Sequence, residues 1–158
     1  MVANVLDRFE FRSVRANEAE EIAEIEKICF PPHEACSKKD MFERVEHAPE
    51  LFLVAVDKET GTIAGFLNGL ATDEEAFRDE FFTDITVHNP EGKNIFLLGL
   101  DVRPEYRRQG LAREIMNQYV KREQAKGRKM LKLTCIKKWA TKTKVSLLLY
   151  GAMKNGMR

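Results

Sequence analysis

The sequence predicts an α/β fold, a mixed central sheet flanked by helices. Three observations carry that expectation. The elements run strand, helix, helix, hairpin, helix, central strand, helix, strand, without the strict alternation of a doubly wound sheet. Residues 94–102 (NIFLLGLDV) are apolar almost throughout, as a central strand covered on both faces should be. A basic, glycine-containing loop follows, then a helical period. With 158 residues, 44% apolar and 32% charged, the chain is expected to form one domain, 1–158.

In order, residues 9–15 (FEFRSVR) alternate like a strand. Asn17 is placed to cap a helix whose Ala19, Ile22, Ala23, Ile25 and Ile28 recur near helical spacing, with glutamates opposite. Phe30-Pro31-Pro32 stops it, because proline lacks an N–H and restricts the residue before it. Ser37 to Asp40 resembles a capping box opening a short helix to about His47. Residues 51–56 read as a buried strand, 57–62 as a hairpin turn with Gly61 at a positive-φ position, and 63–71 as the returning strand. Residues 73–84 read as a helix with Ala76, Phe77, Phe81 and Ile85 on one side, and 89–92 as a turn. Leu111, Ala112, Ile115, Met116, Tyr119 and Val120 make one helical face, closed by Gly127. Residues 129–135 alternate as a last strand.

Composition excludes several classes. The longest apolar run, 147–153, has seven residues counting Gly151, against ~20 for a membrane helix. Asp7, Arg8 and Glu10 stand where a secretory signal needs apolar residues. Neither a membrane span nor a signal peptide is expected, and a cytoplasmic location with reduced thiols is. Cys29 and Cys36 have six residues between them, Cys135 stands apart and the three histidines are isolated, so no metal site is expected. His33, His47 and His88 are expected at the surface. Residues 1–120 carry 14 Lys/Arg against 24 Asp/Glu, whereas 121–158 carry 12 against one. A basic end on an acidic body allows nucleic-acid binding as one reading, which the scarcity of interleaved aromatics argues against.

The informative segment is 97–113 (LLGLDVRPEYRRQGLAR). A buried strand ends at Val102, Pro104 turns the chain, and Arg107-Arg108-Gln109-Gly110-Leu111-Ala112 opens a helix. A helix N-terminus offers unpaired N–H groups and a positive dipole, a natural site for phosphate. Gly110 allows close backbone approach, Ala112 leaves room at the first turn, and the arginines add charge-assisted bonds. The dinucleotide and nucleoside-triphosphate glycine patterns are both missing.

At these residues the chain resembles the GNAT N-acetyltransferase family, whose Arg/Gln-x-x-Gly-x-Gly/Ala motif is matched by Arg107, Gly110 and Ala112. The resemblance covers about 9–136. It implies a GNAT-like fold, acetyl-CoA as cosubstrate and no metal. It also implies backbone pairing of Leu100, Asp101 and Val102 with the pantetheine arm. The pyrophosphate would lie among Arg108, Gln109, Gly110, Leu111, Ala112 and Arg113, and a backbone N–H near Leu100 would hold the oxyanion. The segments 29–35 (CFPPHEA), 47–56, 65–75, 87–94 and the motif resemble more narrowly the arylalkylamine (serotonin) N-acetyltransferase branch and its bacterial relatives. That likeness makes Phe30, Pro31, His33 and Asp73 candidates for contact with the amine.

The chain also departs from that branch. Its two strand histidines are replaced by Phe96 and Leu98, which join the substrate candidates but take no proton. Its catalytic tyrosine segment should start soon after Cys135. The only tyrosine there, Tyr150, lies 15 residues beyond Cys135, and packing in a helix competes with the acid role for it. Residues 137–158 therefore read as a divergent tail on a truncated or aberrant end, from a frame change or from an end completed by a partner chain. The expected activity is acetyl transfer from acetyl-CoA to a primary amine of a small molecule by direct attack. The alternatives are a non-catalytic acyl-CoA-binding module and a protein N-terminal or lysine acetyltransferase. A homodimer is expected, because the uncovered sheet edge and the apolar 147–153 need burial.

Overall fold

The computed structural model describes residues 5–133. Expectations placed on Cys135 and the tail, Tyr150 among them, lie outside the described residues. The described elements are α1 (Val5–Arg8), β1 (Phe9–Arg12), α2 (Ala19–Cys29), α3 (Lys38–His47), β2 (Phe52–Asp57), β3 (Ile63–Thr72), α4 (Glu80–Thr83), β4 (Asn94–Val102), α5 (Leu111–Ala125) and β5 (Met130–Leu133). The five strands form one sheet in sequence order. β1 to β4 are antiparallel neighbours and β5 lies parallel to β4. The parallel pair requires a crossover, which α5 supplies. This is the mixed sheet with flanking helices that the sequence predicts.

Alternation along β2 divides the core. Phe52, Val54 and Val56 pack with Ile22 and Ile25 of α2 and Met41 and Val45 of α3. Leu53 and Ala55 pack with Leu111, Ile115, Tyr119 and Val120 of α5 on the other face. Tyr119 is wholly buried and donates its hydroxyl to the Leu51 carbonyl at 2.8 Å. Burial pushes that phenol's pKa upward. The register of β3 on β4 jumps from Asn68↔Gly99 to Gly69↔Leu97, which leaves Leu98 as the extra residue of a β-bulge.

Several local expectations are corrected. Asn17 does not cap α2. It sits in a 3₁₀ turn, Ala16–Glu18, and the Glu18 carboxylate accepts the Arg15 N–H at 2.7 Å and the Arg12 guanidinium at 2.8 and 2.7 Å. Ser37 does cap α3, accepting the Asp40 N–H at 3.1 Å. The first strand stops at Arg12 rather than Arg15. The helix expected over 73–84 shrinks to α4, because the Thr72 hydroxyl accepts the Glu74 N–H and holds the chain in a turn. Ala76 is exposed, whereas Phe77 and Phe81 pack on Phe96 with ring centroids 5.3 and 5.0 Å away. His88 is not at the surface: its side chain is 3% exposed. Its Nδ1 accepts the Ala71 N–H at 3.1 Å, so Nε2 carries the proton donated to Glu50 at 2.8 Å.

Candidate functional site

β4 emerges from the core as it approaches the loop. Ile95, Phe96 and Leu97 are fully buried, and Leu98, Gly99 and Leu100 are half-buried. Among the described residues, β5 pairs only with Asn94 to Leu97 of β4. The N–H and C=O groups on that side of Leu98 to Val102 have no strand partner among the described residues. Val102 differs in one respect. Its carbonyl accepts both the Cys29 thiol at 3.3 Å and the Arg107 Nε at 2.9 Å, which fills its two lone pairs. Burial raises the Cys29 pKa, with Arg107 acting against it. It pushes Cys36 up to about 11. Both thiols are free.

After Val102 the chain makes a 3₁₀ turn, Pro104–Tyr106, and reaches α5. Tyr106 fastens this approach by donating to Asp57 at 2.7 Å. Asp57 also receives the Glu59 N–H at 3.0 Å and Arg8 at 3.1 Å, and the Tyr106 bond leads in lowering its pKa. Arg108 then adopts φ 63° and Gly110 φ 80°. Gly110 is the N-cap of α5, and no side chain caps that helix. The N–H groups of Leu111, Ala112 and Arg113 have no intrahelical acceptor at this position. A Cβ added to Gly110 would meet nothing within 4 Å. The α5 entrance is thus open and electropositive, and it follows the half-buried stretch 98–100 of β4.

The sequence-predicted residues distribute unevenly around it. Arg107, Arg108, Gln109, Gly110 and Arg113 are exposed at the entrance, and Ala112 is half-buried there. Leu111 is 1% exposed, so only its backbone faces outward. Leu100 is half-buried, while Asp101 and Val102 are buried. Phe96 has no exposed surface and packs within the Phe77–Phe81 cluster. Leu98 is half-buried at the bulge. Asp73 is exposed, at the other end of β4. Its carboxylate accepts the Lys93 N–H at 3.1 Å, at the start of β4. That is about 20 Å along the strand from Leu100 at ~3.3 Å per residue.

Phe30, Pro31 and His33 lie in the turn after α2, where the Pro31 carbonyl accepts the Glu34 and Ala35 N–H groups at 2.9 Å. Phe30 is half-buried, Pro31 exposed and His33 exposed beside Glu34. This turn brings the Cys36 N–H to Glu26 Oε2 at 2.8 Å. Glu26 and Asn68 were not among the sequence candidates, yet both are buried beneath Gly99. A signal for Glu26 did exist. It lies four residues after Ile22 and three before Cys29, on the inner stripe of α2.

A sheet of this order, with a bulged fourth strand running into an uncapped helix entrance, defines an α/β domain of the acetyltransferase class. The model of the acetyltransferase (GNAT) family matches residues 19–142, and the chain belongs to that family. Among curated proteins it is similar to the probable hydrolase YhcX of Bacillus subtilis (strain 168), with 31% identity over 114 residues. That match spans 65% of this chain and 22% of the relative, so the chain corresponds to about a fifth of that protein. Among solved structures, the loading GNATL domain of CurA from Lyngbya majuscula superposes with a TM-score of 0.71 at 13% identity, over 81% of this chain and 65% of that one. The aminoglycoside N-acetyltransferase AAC(6')-Iy in complex with CoA gives 0.63 at 16% identity, over 89% and 86%. At these identities the two structures speak for the fold. Among the described residues, no helix is long and apolar enough to cross a membrane.

Proposed function

We propose that the chain transfers an acetyl group from acetyl-CoA to a primary amine of a small molecule. The observation that carries this reading is the α5 entrance: a left-handed Gly110, open space above it and no side-chain cap, directly after β4. The first-turn N–H groups and Arg108 and Arg113 would hold the pyrophosphate. Leu100 and Asp101 would pair with the pantetheine arm, and Val102 would contribute only its N–H, because its carbonyl is filled.

In the reaction, the neutral amine nitrogen bonds to the thioester carbonyl carbon. The charge developing on the carbonyl oxygen is held by the Leu100 N–H, and the C–S bond then breaks. The amine gives up one proton and the departing thiolate takes one. Phe96 and Leu98 cannot carry that proton, so water serves as the base. The narrower likeness to the arylalkylamine branch would make the amine aromatic. A homodimer and a cytoplasmic location belong to the same proposal and rest on the sequence.

The test is calorimetric titration with CoA and acetyl-CoA, followed by thiol release from acetyl-CoA across a panel of primary amines. Binding of both with amine-dependent thiol release is expected. Binding without release from any amine would favour the non-catalytic module, and absence of binding would overturn the reading.

A further inference from the structure

The Val102 carbonyl is the last on the outer edge of β4. The Arg103 N–H donates to the Ala64 carbonyl on β3 at 2.8 Å. In a planar trans peptide the C=O points opposite to the N–H, so the Val102 oxygen faces away from β3. On that edge β5 pairs with Asn94 to Leu97 and, among the described residues, with nothing beyond. A bare carbonyl there would accept from any N–H that runs alongside the strand. This one is not bare. The Cys29 thiol, from the last residue of α2, reaches it at 3.3 Å, and Arg107 Nε, from the loop before α5, reaches it at 2.9 Å. Both donors come from outside the sheet, and together they fill the oxygen's two lone pairs.

The donors are themselves fixed. The Phe30 N–H closes the end of α2 onto the Glu26 carbonyl at 3.1 Å, so an ordered last turn presents the Cys29 side chain. Burial raises the pKa of that thiol, which keeps its proton and remains a donor at neutral pH. The Arg107 N–H donates to the Pro104 carbonyl at 3.2 Å. The Arg107 side chain thus turns back to β4 while its backbone leads into the left-handed Arg108 and the α5 entrance. One residue ties the strand edge to the helix entrance, the two places assigned to the pantetheine arm and the pyrophosphate. The effect of both bonds is to withdraw an acceptor from the edge between those two places.

We propose that Cys29 and Arg107 are positioning residues for acyl transfer: by filling the Val102 carbonyl they give the pantetheine arm a single register on β4 and so hold the thioester carbonyl at the Leu100 N–H. Val102 lies between Leu100 and the α5 entrance. An arm amide bonded to a free Val102 carbonyl would be drawn toward the entrance and would carry the thioester away from Leu100. Affinity would survive, because one backbone hydrogen bond is exchanged for another. Alignment would not, and a misplacement of ~1 Å is enough to cost about a hundredfold in rate. The inference rests on the acyl-transfer reading. It gives Cys29 a part in that reaction without making the thiol a nucleophile, since no bond to its sulfur forms or breaks.

The probe is acetyl-CoA labelled with carbon-13 at the thioester carbonyl, bound to the full chain without amine and read by infrared difference spectroscopy. A donor at the oxyanion position polarises that carbonyl and lowers its stretching frequency relative to the free thioester. The parent should show the lowering. Cys29→Ala/Arg107→Met removes both donors and should lose it, while the calorimetric dissociation constant for acetyl-CoA changes by less than about tenfold, the net worth of one hydrogen bond. The single variants Cys29→Ala and Arg107→Met, each freeing one lone pair, should lose part of it. Cys29→Ser keeps a hydroxyl donor, and Arg107→Gln places an amide N–H where Nε stood but carries no charge, so both should keep the lowering. A merely structural role would lower the unfolding temperature and leave the band of the bound, folded fraction as in the parent. A band unchanged in the double variant, a band lost in Cys29→Ser and Arg107→Gln as well, or a parent that binds acetyl-CoA without any lowering would overturn the positioning role alone. A parent that binds no acetyl-CoA would overturn the acyl-transfer reading and this inference with it.

Discussion

Gly110 is held at φ 80° by the chain's need to turn from the Pro104–Tyr106 loop into α5. An L side chain in that region is disfavoured by about 1–2 kcal/mol. The strain is only part of the effect of Gly110→Val. The new side chain would stand in open space above the first-turn N–H groups, where the phosphates are proposed to lie. CoA binding should weaken by about 1–3 kcal/mol, as hydrogen bonds to charged groups are lost. Calorimetry on the folded variant checks it, and an unchanged dissociation constant would remove the pyrophosphate from this helix entrance. Leu111 provides the contrast at the same scale. Its side chain anchors α5 in the core while only its N–H faces the entrance, so Leu111→Ala should cost stability, about 2–5 kcal/mol, before it costs affinity.

At the level of elements, the turn before β4 locks two strands together. A Cβ on Gly92 would approach the Thr72 backbone to 2.3 Å, a contact that no side-chain rotation relieves. Arg128 clasps the same turn through the Pro90 and Gly92 carbonyls while paired with the buried Glu123. Gly92→Ala should therefore destabilise by about 1–3 kcal/mol, read from the midpoint of urea unfolding, with the proposed CoA site unaffected in the folded fraction. What the sequence revealed at this scale followed periodicity. β4 matches its predicted bounds because residues 95–100 form one apolar run interrupted only by Gly99. Residues 73–84 carry acids and phenylalanines at helical spacing, yet Phe77 and Phe81 are drawn to Phe96 and only the short α4 is helical. His88 and Asn68 had no local signal, since their roles depend on Glu50 and Arg44, 38 and 24 residues away. The α5 entrance was legible because a glycine and a small residue are needed within one turn. Glu26 was harder to read: its place on the inner stripe of α2 was the one signal, and helix glutamates ordinarily face water.

Over the whole molecule, one carboxylate ties the stability of the fold to the approach to α5. Asp57 joins β2, α1 and the loop that carries Tyr106 into the α5 entrance. Its folded pKa lies below the unfolded value of about 3.9, chiefly through the Tyr106 bond. A depressed carboxylate contributes stability that is present above the unfolded pKa and is lost as pH falls through the folded one. The stability advantage of the parent over Asp57→Asn should thus be constant above about pH 5 and shrink on further acidification. Equal acid sensitivity of the two proteins would assign the bond no role. At neutral pH, the same scaffold should respond to CoA by mass action. Ligand at about one hundred times its dissociation constant adds about 2.7 kcal/mol. For a chain of this size that is a rise in Tm of roughly 5–10 °C. The rise should shrink in high salt, because Arg108 and Arg113 are exposed and screened. It should shrink in Gly110→Val at the same CoA concentration, while Asp57→Asn should keep the rise on a lower baseline. A parent Tm that CoA leaves unmoved, or a Gly110→Val protein that rises as far as the parent, would mean that the α5 entrance is a helix start and nothing more.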